Sequence, residues 1–240
     1  FTSTVNSDSG GARSLTIATG TAATVQFNGT VGDTYALNAI AITGTSAALD
    51  LNAAITNAVS LSVSGASNLG ANVTTTGNSQ TYTGPVTLSA DTTLTDAGNI
   101  LFSSTVDGGY ALTISNSGAN VTFTGAVGAT APLTGLTITT NVLTAAAIKS
   151  TGTLSVTNSG TSSITGIISE NVSALALTKA GGGTLTLSGA NTYTGGTTIS
   201  NGVVKAGISS TGTVTNGAFG TGSVTVNSAG AIDLNTYTVA

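Results

Sequence analysis

The chain has 240 residues, a net charge of −4 and only 5% charged side chains, against about 25% in an average soluble domain. Its four cations, Arg13, Lys149, Lys179 and Lys205, are scattered, which excludes the clustered basic face that nucleic acid or anionic lipid needs. His, Cys and Met are absent, so the usual transition-metal ligand sets cannot be assembled. No apolar run approaches the ~20 residues of a membrane helix.

Hydrophobic residues still make up 40% of the chain. That excludes disorder, which pairs low hydrophobicity with high charge. Thr, Ser, Asn and 33 glycines replace the missing charge, and there are two prolines, Pro85 and Pro132. β-Branched residues and frequent turn formers predict short strands joined by tight corners.

Along the chain, short runs alternate apolar with polar residues, the period of a strand. They are Leu15-Thr-Ile17, Ile40-Ala-Ile42, Leu61-Ser-Val63, Leu112-Thr-Ile114, Leu136-Thr-Ile138, Leu154-Ser-Val156, Leu185-Thr-Leu187 and Val224-Thr-Val226. Leu, Ile, Val and Phe are expected to point inward, and Thr and Ser outward. Val142–Lys149 has the alanine content of a short helix. It takes the place of Leu49–Ile55 in an earlier copy, so it is assigned as strand. Asn201-Gly202, Asn216-Gly217 and Asp107-Gly108-Gly109 mark corners.

Repetition is the strongest signal. An aromatic-x-Gly/Ser-x-Val/Thr unit starts at Phe1, Phe27, Tyr82, Phe102, Phe123 and Tyr193, with steps of 20 residues (Tyr82 to Phe102) and 21 (Phe102 to Phe123). Each aromatic is expected in a core stack, with the glycine supplying the turn beside it. Val25–Gly44 also aligns without gaps on Val121–Thr140, with 9 of 20 positions identical. A rung-length repeat of short strands predicts an all-β fold, a parallel β-helix of about twelve rungs. Crossovers between parallel strands favour right-handed winding, and stacking at ~4.8 Å gives a rod of roughly 60 Å. The chain opens partway through a repeat that it completes later, which points to a longer array.

The residues Leu177-Thr-Lys-Ala-Gly-Gly-Gly-Thr-Leu-Thr-Leu-Ser-Gly-Ala-Asn-Thr-Tyr-Thr-Gly-Gly-Thr-Thr-Ile199 resemble the β-strand repeat of bacterial autotransporter passengers. Gly220–Val226 and Ile232–Asn235 extend the likeness. Tyr82–Leu94 and Phe123–Gly128 are similar to repeats of filamentous-haemagglutinin-like exoproteins. The expected division is 1–148 of the second type and 149–240 of the first, continuous as one solenoid. The resemblance implies a β-helix exported by a Gram-negative cell and displayed at its surface. No secretion leader is recognisable in these residues, so the export route is left open.

Candidate chemistry is sparse. Asp91, Asp96 and Asp107 form the densest group of carboxylates, and neighbouring rungs could bring two together as in β-helix polysaccharide lyases and hydrolases. Solvated turn residues are the expected outcome. A serine nucleophile would have no histidine base. Gly181-Gly-Gly-Thr184 lacks the Asp of a calcium nonapeptide and the Gly-Lys-Ser/Thr of a phosphate loop, so a tight corner between Leu177 and Leu185 is expected. The Asn-x-Ser/Thr triplets at Asn28, Asn72, Asn120 and Asn171 are as frequent as chance allows in so Asn- and Thr-rich a chain. Lys149, Lys179 and Lys205 are expected to be isolated solubilising side chains. Thr-x-Thr pairs such as Thr137-Ile-Thr139 and Thr184-Leu-Thr186 suggest an ice-binding ladder, but they drift among several positions of the repeat where an ice plane needs one aligned array, so ordinary outward threonine on a β-surface is expected. The expected function is therefore a structural or adhesive segment of an extracellular fibre that associates with itself or with host-cell, neighbouring-cell or polysaccharide surfaces. It is expected to have no catalytic, metal or cofactor site. A β-helix carbohydrate-active enzyme, a polysaccharide-binding module and an ice-binding surface are the alternatives.

Overall fold

The computed structural model describes residues 1–20, 23–211 and 215–239. Twenty strands and no helix occur among them, and every pairing between strands is parallel. The chain winds as a β-solenoid, as the repeats imply. Val142–Lys149 is divided between the strands Leu133–Ala145 and Ile148–Asn158, in line with its strand assignment.

Each rung visits three faces. On the first, Cα partners run in succession through Val5, Val31, Ile55, Val73, Leu94, Ile114, Ile138, Val156, Lys179, Ile199 and Val226. On the second they run through Ile17, Ile42, Val63, Tyr82, Phe102, Phe123, Ala145, Ile164, Leu187 and Ala206. The third carries Val25, Leu49, Ser67, Val86, Val106, Val127, Ile148 and Ile168. These columns interlock as one buried hydrophobic core. The side-chain period of two leaves the intervening residues on the outside.

The rungs number fewer than the expected twelve. The first column makes ten steps, from 18 residues (Ile55 to Val73) up to 27 (Ile199 to Val226), so the 20–21-residue spacing is only locally true. The extra residues lie in corners, where they lengthen the chain without lengthening the rod.

The expected aromatic stacking forms in part: among the described residues Tyr193 is buried without a stacked ring and bonds Thr197 through its hydroxyl, and Phe1 is 52% exposed. Tyr82 lies 5.1 Å from Phe102, and Phe102 lies 4.7 Å from Phe123, with their rings 9° and 2° from parallel. Phe1 stacks on Phe27 separately, at 5.1 Å. The same motif thus serves two corners. After Tyr82, Phe102 and Phe123 the chain turns from the second face into Val86, Val106 and Val127 on the third. After Phe27 it turns from the third face into Val31 on the first. The twenty-residue duplication is turned by one face accordingly, with Ile42 on the second face and its counterpart Ile138 on the first. What is repeated is a strand–corner–strand unit, not a whole rung.

The motif glycine acts by its lack of bulk. Gly84 and Gly125 are absent from the positive-φ residues, yet a Cβ on either would lie 2.4–2.5 Å from backbone atoms of Gly65 or Ser104 in the rung below. Any side chain must push the rungs apart at that corner. Gly125→Ala is expected to destabilise by about 1–3 kcal/mol, the range for overpacking a close-packed site, as measured by denaturant unfolding. An unchanged midpoint would show that the corner yields freely.

Candidate functional surfaces

The three carboxylates that the sequence groups together are separated by the fold. Asp91 stands exposed where the chain enters the first face, and its Oδ1 accepts the Ala111 amide at 2.8 Å. Asp107 lies on the third face and accepts the Thr130 and Ala131 amides at 2.8 and 3.1 Å. Both tie one rung to the next.

Asp96 is not a solvated turn residue. It is 5% exposed, and neither carboxylate oxygen has a hydrogen-bond partner in the protein. Burial, and then the charge of Asp96, push the Tyr82 phenol well above its ordinary range. No group of three or more metal-ligating side chains occurs among the described residues.

Asp96 belongs to a buried polar corner that sequence reasoning missed. At the turn from the first face to the second, the inward position after the core pair is polar in successive rungs: Asp96, Asn116, Thr140 and Asn158, the last three Cα partners in order. The side chains of the last three take up carbonyls at the turn. Asn116 Nδ2 donates to Gly98 O at 2.6 Å, Thr140 Oγ1 to Ala119 O at 2.7 Å, and Asn158 Nδ2 to Gly160 O and Thr184 O at 2.6 and 3.0 Å. Unpaired carbonyls there would carry a desolvation penalty.

Lys179 completes this corner and overturns its assignment as a surface lysine. It occupies the first inward column between Val156 and Ile199 and is fully buried. Its Nζ donates to the carbonyls of Ala180 (2.6 Å), Gly181 (2.8 Å) and Asn201 (3.3 Å). Burial lowers its pKa to about 8. The Gly181–Thr184 segment is the expected tight corner, with Gly181 at φ 74°. Within it the Gly181 carbonyl faces the Lys179 ammonium. Lys205, by contrast, lies on the outside, 3.4 Å from Asp233.

On the outside of the third face, Asp50 accepts from Gln26 Nε2 (2.7 Å), Asn68 Nδ2 (2.8 Å) and Asn52 Nδ2 (3.2 Å), and Asn52 also donates to Asn28. The Gln26 bond, supported by those of Asn68 and Asn52 against slight desolvation, holds Asp50 below its ordinary value. Thr24, Ala48, Leu49, Asp50, Ser67 and Asn68 line a shallow groove of about 310 Å³ beside it. Of the four glycosylation-type asparagines, Asn28, Asn72 and Asn120 make rung-to-rung bonds, while Asn171 is exposed.

The outward threonines of the first face do not drift. Thr93, Thr113, Thr137, Ser155, Thr178, Thr198 and Thr225 are successive Cα partners. Two residues further along the strand, Thr74, Thr95, Ser115, Thr139 and Thr157 form a second column. Unequal rung lengths scatter these residues in sequence, and the register restores them to line.

Residues 177–206 match the Passenger-associated-transport-repeat family. No curated protein and no solved structure matches the chain.

Proposed function

We propose that this solenoid is a segment of an autotransporter-passenger-type surface protein of a Gram-negative bacterium, working as a stiff adhesive stalk. The observation that carries this is the position of the matched repeat. Residues 177–206 are a full part of the ladder, pairing with the strand Ile148–Asn158 on one side and Val224–Asp233 on the other. Stiffness follows from continuous parallel ladders around a stacked core. The near absence of charge removes repulsion between like residues stacked rung over rung.

Self-association end to end is part of the same proposal. The inward positions of the last described rung, Val224, Val226, Ile232 and Leu234, are 38–45% exposed, and its strand Val224–Asp233 pairs on one edge only. Another rung, from this chain or a second copy, would cover them. Residues 1–148 and 149–240 form two repeat types within this one solenoid. The Asp50 amide cluster beside its groove favours a second reading, contact with polysaccharide hydroxyls through that face.

The test is protease shaving of intact producing cells, with immunogold labelling of the chain. Label standing off the outer membrane and lost on shaving is the expected result. A protected chain inside the cell would overturn the proposal. Electron microscopy of the isolated chain across a concentration series separates filaments, expected for end-to-end association, from single rods.

A further inference from the structure

The first face carries a two-dimensional array with no counterpart elsewhere among the described residues. One column has seven hydroxyl residues in unbroken register, from Thr93 to Thr225, and the parallel column has five, from Thr74 to Thr157. Rungs repeat at about 4.8 Å and alternate residues of a strand at about 6.6 Å, so the hydroxyls sit on a near-rectangular grid. Six steps along the longer column span about 29 Å at that rung spacing.

Three features set this face apart. Its hydroxyls make no hydrogen bonds inside the protein among the described residues, so their donors and acceptors are free for solvent. No charged residue enters either column, and in the flanking outward column Ala111, Gly135, Thr153 and Ala176 are uncharged, the one charge there being the exposed Asp91 one rung before Ala111, at the edge of the array. Charges would organise water radially around themselves. Most members are threonine, whose branched Cβ restricts χ1 and holds methyl and hydroxyl in fixed alternation. The equivalent column on the second face is broken by Leu101 and ends in Lys205 and Asp233.

We propose that the first face binds ice, its hydroxyl grid ordering a water layer that joins the crystal lattice. A regular, uncharged and rigid hydroxyl plane matches a solid in which donors and acceptors repeat in two dimensions. A soluble glycan, with its irregular hydroxyl directions, gains nothing from such strict periodicity. The binding belongs to the flank of the rod and is independent of the passenger assignment.

The experiment is partition of the purified chain into slowly grown polycrystalline ice, alongside inhibition of ice recrystallisation. The native chain is expected to enter the ice and to keep crystals small. Thr137→Lys with Thr178→Lys, which puts two ammonium groups in the middle of the long column, is expected to lose both effects. Thr144→Lys, exposed on the second face, is expected to keep them. Circular dichroism checks the fold, and Ser155→Lys replaces the pair if that variant unfolds. Exclusion of the native chain from ice overturns the proposal, as does equal loss on both faces. Retention on crystalline cellulose or chitin with exclusion from ice overturns it too, and assigns the face to a polysaccharide crystal.

Discussion

Phe102→Ala is expected to destabilise the solenoid by about 3–5 kcal/mol, the range for truncating a fully buried aromatic. Phe102 is the middle ring of the Tyr82–Phe102–Phe123 stack and is 1% exposed. Its loss removes two stacked contacts, each worth about 0.5–1.5 kcal/mol beyond the area buried, and opens a cavity in the centre of the second face. The rungs above and below cannot close over it, because their spacing is fixed by backbone ladders on all sides. Phe123→Ala removes only one stacked partner, since the next residue in the column is Ala145, so its effect is expected to be smaller. Denaturant unfolding of the two variants checks the order. Equal or reversed losses would show that ring burial alone, and not stacking, sets the contribution of the column.

Much of this architecture is legible in the residues. Strand parity, the aromatic stack and the corner at Gly181 are local patterns, and a solenoid stacks them without long-range rearrangement. Turn by turn, what escapes is phase. Nothing in the twenty-residue duplication signals that its second copy is turned by one face, because both copies bury the same alternation. Thr137 and Thr178 look unrelated at a distance of 41 residues; only the register, through Ser155, places them in one column. The buried polar corner was available to parity alone. Leu94 and Asp96, Leu112 and Asn116, and Leu177 and Lys179 fall on the same side of their strands. Habit assigns polar side chains outward, whereas backbone carbonyls at a buried corner require donors, and that requirement outweighs the preference of Asn and Lys for water.

Lys179→Met is expected to lower the unfolding midpoint at pH 7, and the gap to the native chain is expected to widen between pH 8 and about 10. Methionine fills the column that the lysine stem occupies, but the carbonyls of Ala180, Gly181 and Asn201 lose their donor. An unsatisfied buried acceptor costs about 1–3 kcal/mol. The pH dependence follows from the ammonium. Its pKa falls from 10.5 unfolded to about 8 folded because burial disfavours the charge. Between those values the unfolded chain binds more protons than the folded one, so stability rises with pH. Tyr82 and Tyr193 act in the opposite sense. Burial raises both above the ordinary 10.0, so the folded chain holds their protons longer and stability falls above pH 10. The native chain should therefore be most stable near pH 10, by the crossing of these two effects, while the methionine variant stays flat to that point and then declines. A gap that narrows with pH would mean that the three carbonyls stabilise the ammonium by more than its desolvation opposes it. The corner would then be a genuine cation site that the chain fills with its own lysine.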